Sequence, residues 1–142
     1  MKMLAILFTI LGVMALVTAE NSFSPQAIKA ESVATNYGVY RNAVNKFATG
    51  NASIAAGEIS ESLLDLPSGW KAIRSWANRL DGGNLYVWGP VNSIEAEQIR
   101  ELFLNSYAIG IKRDGALLNN HGTGVALPGF IPEGSIVSVI TP

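Results

Sequence analysis

The chain has 142 residues, a formal net charge of −1 and 49% hydrophobic side chains, which is enough for one modest domain. It contains no cysteine, so disulfide frameworks, thiolate zinc sites and cysteine nucleophiles are excluded. Because a nucleic-acid-binding face needs an excess of basic side chains, the balanced charge argues against nucleic acid as a partner.

The chain begins with an apolar run, Met3–Ala19, whose most polar side chains are two threonines. Lys2 precedes the run, so the positive-inside rule places the amino terminus in the cytoplasm and the remainder outside. As a helix the run would reach about 26 Å, close to a hydrocarbon core of about 30 Å. It therefore fits a single-pass inner-membrane anchor (1–20), followed by a periplasmic domain (21–142).

The same residues also fit a secretory signal. Small side chains precede Glu20, and cleavage after Ala19 would leave a soluble periplasmic domain. Charge and length alone do not separate these two alternatives.

A long helix is predicted from Ser24-Pro25 to Gly50, because Ser24 offers an N-cap hydroxyl and proline suits the first helical position. Apolar residues recur at steps of three and four and form one stripe: Ala30, Val33, Ala34, Tyr37, Tyr40, Val44, Phe47 and Ala48. The opposite side is polar and includes Asn36. The pattern predicts an amphipathic stalk helix whose stripe packs on the domain's own sheet.

The stretch 76–90, WANRLDGGNLYVWGP, predicts a β-hairpin, since the Asp-Gly-Gly-Asn sequence in its middle suits a tight turn. Side chains alternate across a strand, so Tyr86 and Trp88 are expected on one face and Leu85 and Val87 on the other.

A capping box that begins at Asn92 predicts a second helix, to about Tyr107. A second hairpin over 108–118 and a buried strand over 135–140 follow. The predicted fold class is α+β, with the order α-ββ-α-ββ-β and a small, mostly antiparallel sheet that has its helices on one face.

No motif of the sequence assembles catalytic or metal-binding groups. His121 is the only histidine, and it lies in an asparagine- and glycine-rich stretch, 119–124, that predicts an exposed loop. No nucleophile-elbow pattern supplies a serine to it, and a lone histidine does not build an ordinary zinc site. Neither glycine cluster has the lysine and spacing of a phosphate loop. We predict a non-enzymatic protein with no cofactor, metal or small-molecule substrate.

Four aromatic residues around the first hairpin are the candidate functional residues: Trp70, Trp76, Tyr86 and Trp88. Tryptophan is enriched at the energetic centres of protein interfaces, and an open hairpin edge offers backbone pairing. These features predict a protein-docking surface. The alternative is that at least two of the three indoles fill the core.

The chain resembles the small PilM proteins of the thin (type IVb) pilus systems carried on conjugative plasmids. The resemblance rests on MKMLAILFTILGVMALV at the start, NYGVYRNAVNKFATGN in the long helix, LPSGW and WANRLDGGNLYVWG, and it spans essentially the whole chain. The unrelated actin-like pilus protein of the same name is excluded by the short chain and the missing phosphate loop. The resemblance implies an inner-membrane protein of the pilin transport apparatus or basal body, with no enzyme activity and no site residues to transfer.

The resemblance favours retention of the Met3–Ala19 anchor, and the expected partners are other pilus-assembly proteins and pilin. Two alternatives stay open. One is a minor pilin-like subunit of the fibre, although the run lacks the charged leader and the glutamate of a prepilin signal. The other is a cleaved periplasmic enzyme or binding protein.

Overall fold

The computed structural model describes residues 24–142, so the expectations for Met3–Ala19 lie outside the described residues. Within 24–142 no helix is both long and apolar enough to cross a bilayer. The described part contains helices α1 (Pro25–Gly50) and α2 (Ser93–Leu102) and a short 3₁₀ turn at Glu61–Leu63. Its strands are β1 (Ala77–Asp81), β2 (Asn84–Pro90), β3 (Ile109–Arg113), β4 (Ala116–Asn119), β5 (Gly122–Ala126) and β6 (Ser135–Ile140).

The six strands form one sheet in the order β1-β2-β6-β3-β4-β5, and every neighbouring pair is antiparallel. The last strand, β6, lies between the two hairpins and pairs with both β2 and β3. The α+β class and the antiparallel sheet are confirmed.

The predicted strand order missed β5. Residues 122–126 pair with β4 instead of forming the expected loop, and Asn119 lies opposite Gly122. All five residues of β5 are exposed, so neither of its faces contributes to the core. A strand is recognised in a sequence by the alternation of buried apolar and exposed polar residues. Because β5 buries neither face, its sequence lacks that alternation.

Helix α1 begins as predicted, since the Ser24 hydroxyl accepts the Ala27 N–H at 3.2 Å. The apolar stripe is buried except for the partly exposed Phe47, and it packs on the sheet and on α2. Burial therefore runs along the helix from Ala30 to Ala48 and makes it part of the domain core rather than a free stalk.

A chain of hydrogen bonds joins α1 to the sheet. The Tyr37 hydroxyl donates to the Val87 carbonyl at 3.0 Å and lies 2.7 Å from Ser138 Oγ, which accepts from Arg41 Nε at 3.1 Å. Burial raises the pKa of Tyr37 well above its ordinary value, so the hydroxyl stays a neutral donor. These bonds fix where α1 crosses the neighbouring strands β2 and β6.

The two faces of the sheet have separate cores, as the alternation in β2 predicted. Leu85 and Val87 pack under the helices, whereas Tyr86 and Trp88 lie on the opposite face. No described helix covers that second face; the irregular segment 127–131 packs there instead.

Buried polar side chains hold the irregular segments in place. Asn78 receives the Ile59 N–H at 2.8 Å and donates to the Tyr40 hydroxyl at 2.8 Å. The Lys112 ammonium donates to the carbonyls of Pro128 and Ile131 at 2.9 and 2.7 Å. Because a polar group is buried at low cost only when it is hydrogen-bonded, each of these side chains ties a loop to the sheet.

The capping box of α2 is confirmed, but the helix ends at Leu102 instead of about Tyr107. The backbone reverses there because the Asn105 N–H reaches back to the Arg100 carbonyl at 2.8 Å. Leu104 takes the left-handed conformation (φ 55°) that glycine usually supplies at this position, and it is 89% exposed. A leucine carries no sequence signal for such a stop, which explains why the expected helix was too long.

Candidate functional site

The four aromatic residues predicted to form a docking surface lie on both faces of the sheet. Trp70 and Trp76 pack on the helix side, and Tyr86 and Trp88 pack on the other. The structure therefore does not bring the four side chains into one patch.

Trp70 and Trp76 lie in the segment that precedes β1 and pack against the core on the helix side of the sheet. The Trp70 ring stacks on Tyr40 with centroids 6.0 Å apart, and the Trp76 ring meets Tyr37 edge-on at 5.0 Å. The Trp76 indole N–H donates to Asn36 Oδ1 at 2.7 Å. These contacts match the alternative in which two of the three indoles belong to the core.

Asn36 was placed on the polar side of α1, and that prediction is wrong because the residue is 8% exposed. Besides the Trp76 indole, its Oδ1 accepts the Ile73 N–H at 2.9 Å, and its Nδ2 donates to the Lys71 carbonyl at 2.8 Å. The Asn36 side chain therefore provides hydrogen-bond partners for backbone groups of segment 71–76. No local pattern distinguishes it from a solvated asparagine.

Trp88 is half-buried, as Trp70 and Trp76 are, and it lines a cavity on the surface. Its ring packs on Phe130 with centroids 5.5 Å apart. A cavity of about 440 Å³ lies against the indole, and two prolines, Pro90 and Pro132, line it together with Val91. Both prolines are exposed, so the apolar surface beside Trp88 is accessible to a partner.

A second cavity of about 390 Å³ adjoins the first, since Val91 and Gly134 line both. Its floor is apolar and its rim carries two arginines and the start of α2; the further lining residues are Ala96, Ile111, Leu118, Arg100, Arg113, Asn92 and Ser93. We name the two adjoining cavities together the end-of-sheet cleft, with a tryptophan end at Trp88 and an arginine end at Arg100 and Arg113.

The two ends of the cleft differ in charge. At the tryptophan end, Glu133 lies 3.8 Å from the Lys112 ammonium and accepts the Gly115 N–H at 2.9 Å, so its charge is compensated. At the arginine end, Arg100 donates to Glu97 at 2.7 Å, whereas Arg113 pairs with no carboxylate among residues 24–142. The arginine end therefore keeps excess positive charge.

A buried ion pair fixes the edge of the cleft. The Glu95 side chain is 2% exposed. Its carboxylate accepts hydrogen bonds from Arg74 and, at 3.1 Å, from the Asn92 N–H. The backbone N–H of Glu95 donates in turn to Asn92 Oδ1 at 2.8 Å. Burial raises the pKa of Glu95, but the hydrogen bonds from Arg74 and Asn92 outweigh it and hold that pKa below its ordinary value. The carboxylate thus stays ionised and positions Asn92.

The edges of the sheet also differ. The β1 edge, expected to be open, is partly covered, because Gly57 exchanges two backbone hydrogen bonds with Leu80 at 2.9 and 2.8 Å. The opposite edge is β5, which is exposed along its whole length and carries no charged side chain. An uncharged open edge offers its backbone for pairing with another strand.

No metal centre is indicated among residues 24–142, where no group of three or more histidine, aspartate or glutamate side chains could hold an ion. His121 lies exposed in the turn before β5, with its ring stacked on Tyr107 at 3.9 Å and its Nε2 2.9 Å from the Asn105 carbonyl. These contacts join two loops.

Sequence reasoning missed the arginine end of the cleft. Arg100 lies in the predicted second helix and Arg113 in the predicted hairpin over 108–118, but no pattern in either element singled them out. They come together because α2 packs on β3, and neither residue carries a local signal of that contact.

Comparison with known proteins identifies one family. The PilM family model matches residues 6–139. A crystal structure of a protein named PilM from Escherichia coli B7A has a similar fold, with a TM-score of 0.65 and 21% sequence identity over 84% of this chain and 98% of that chain. No curated protein matches the chain significantly.

Proposed function

The chain belongs to the PilM family, and from this premise we propose that it acts in pilus biogenesis as a non-enzymatic docking component. In this proposal Met3–Ala19 holds it in the inner membrane, and the domain 21–142 lies in the periplasm. The domain binds other pilus-assembly proteins or pilin.

The observation that carries the docking role is the end-of-sheet cleft, where the half-buried Trp88 borders an accessible apolar surface. Indoles in such positions often contribute a large share of interface energy. The buried side chains of Asn36, Asn78, Glu95 and Lys112 are all engaged in bonds within the fold. The open β5 edge is a further surface for protein contact.

We expect Trp88→Ala to reduce the number of assembled pili about tenfold or more, because loss of a central indole weakens binding by about 2 kcal/mol or more. Pili would be counted by electron microscopy in cells that carry the variant in place of the normal gene. The level of membrane-associated protein would be measured in the same cells.

Phe130→Leu is the matched control, since it removes the ring that Trp88 packs on but keeps the indole. It is expected to keep piliation near the normal level. Normal piliation with Trp88→Ala, or an equal loss with Phe130→Leu, would contradict the docking role of the indole.

We further expect the mature chain to begin at the amino-terminal end of the apolar run and to fractionate with the inner membrane. Intact mass of the purified native protein and fractionation with and without carbonate extraction would measure this. A chain beginning at Glu20 in the soluble fraction would establish the cleaved periplasmic alternative, and recovery from sheared pili would establish the fibre-subunit alternative.

A further inference from the structure

We propose that the end-of-sheet cleft binds an extended peptide segment of a partner protein, in which an acidic side chain lies next to apolar ones. The inference rests on the proposed docking function and names the chemical class of the partner.

The acidic side chain is inferred from the arginine end. Two guanidinium groups from different elements, Arg100 on α2 and Arg113 on β3, line one cavity. Arg113 has no carboxylate partner among residues 24–142, whereas Arg100 already donates to Glu97 at 2.7 Å. A guanidinium presents paired N–H donors that match the two oxygens of a carboxylate. A carboxylate at this end would pair with Arg113, and Arg100 adds positive charge to the lining of the same cavity.

The apolar neighbours are inferred from the floor between the arginines. Ala96, Ile111 and Leu118 provide an aliphatic surface that a free anion would not use. A side chain such as leucine, attached next to the acidic residue, would cover that floor. Burial of apolar surface then adds to the charge interaction.

An extended segment is inferred from the adjacency of the two cavities, which share Val91 and Gly134. Beyond Val91 the cleft leads to Trp88 and to the prolines at positions 90 and 132. No basic side chain among residues 24–142 lines that end, whereas Trp88 and the two prolines do, so an apolar side chain fits there better than a second acidic one. The charge difference therefore sets the direction of the bound segment, with its acidic residue at the arginine end.

The test uses phage-displayed random peptides selected on the full chain in detergent, followed by affinity measurement with the selected synthetic peptides. We expect enriched peptides to share an aspartate or glutamate beside aliphatic or aromatic residues. Replacement of that acidic residue by its amide should weaken binding about tenfold or more, as is typical of charged hydrogen bonds.

Arg113→Glu is expected to abolish binding of these peptides, and Arg113→Lys to retain part of it. Lys71→Glu is the matched control; it makes the same change in charge at an exposed position that does not line the cleft, and it should leave affinity within about twofold. Circular dichroism of each variant verifies folding. Selected peptides without acidic residues, no selected peptide at all, or binding unchanged in Arg113→Glu would overturn the inference.

Piliation of the same variants distinguishes a failure of this inference from a failure of the proposed function. If Arg113→Glu loses peptide binding but assembles normal pili while Trp88→Ala does not, docking stands and the acidic partner is overturned. If deletion of the gene leaves piliation unchanged, the proposed function fails and this inference fails with it as a statement about pilus partners.

Discussion

Gly110→Ala is expected to destabilise the domain by about 3 kcal/mol or more, because the backbone of the neighbouring strand β4 lies very close to position 110. An added Cβ would lie 2.7 Å from the carbonyl carbon of Leu118, still closer to its carbonyl oxygen, and 3.1 Å from the Asn119 nitrogen. These are backbone atoms, so no side-chain rotation relieves the overlap. Strand β4 would have to move away from β3, and the floor of the cleft would open with it.

Gly129→Ala provides the matched control, since no heavy atom lies within 4 Å of its added Cβ and its φ is ordinary. We expect it to change the unfolding free energy by less than about 0.5 kcal/mol. Urea denaturation of both full-length variants in the same detergent gives the comparison. Equal midpoints for the two variants would show that the β3–β4 approach is looser than described.

Glu95→Ala is expected to cost about 3 kcal/mol, because one carboxylate both closes the capping box of α2 and pairs with Arg74. Its removal leaves the Asn92 N–H and the Arg74 guanidinium without the acceptor that they share. The start of α2 would then fray and the segment around Arg74 would lose its link to the helix. Thermal unfolding followed by circular dichroism at pH 7 measures the loss.

Glu97→Ala is the control on the same helix, since that carboxylate is 49% exposed and pairs only with Arg100. Exposed pairs contribute little, so a change below about 1 kcal/mol is expected. A similar loss in both variants would indicate that any charge change in α2, and not the buried pair, destabilises the domain.

The Glu95 carboxylate also makes the stability of the domain depend on pH. The pKa of Glu95 is lowered in the folded state from the ordinary 4.5, so in acid the unfolded chain takes up the proton first. Its contribution to stability is complete above pH 4.5 and is lost as the pH falls through the lowered folded value. Glu95→Gln should remove this part of the acid sensitivity, and an identical acid profile in that variant would contradict the assignment.

The residues changed in these variants also shape the cleft that carries the proposed docking role. Position 110 sets the spacing of β3 and β4, which form the cleft floor through Ile111 and Leu118. Glu95 holds Asn92, which lines the same cavity. The shape of the cleft therefore depends on backbone packing and on one buried ion pair that lie beside it.

The sequence alone determined the features that depend on near neighbours in the chain. The Ser24 cap, the buried stripe of α1, the two faces of β2 and the capping box at Asn92 all involve contacts or periodicities within a few residues. Family membership was also predictable, since the segments that resemble PilM proteins lie within the matched residues 6–139 or overlap their start.

Only the tertiary structure decided which polar and aromatic residues meet. Asn36 is buried by a segment that begins 35 positions away, as its bond to Lys71 shows. Arg100 and Arg113 line one cavity only because α2 packs on β3. Strand β5 exists through its pairing with β4 and buries no face of its own. Long-range hydrogen bonds and packing leave no local periodicity in the chain, which is why the cleft could not be read from the residues that form it.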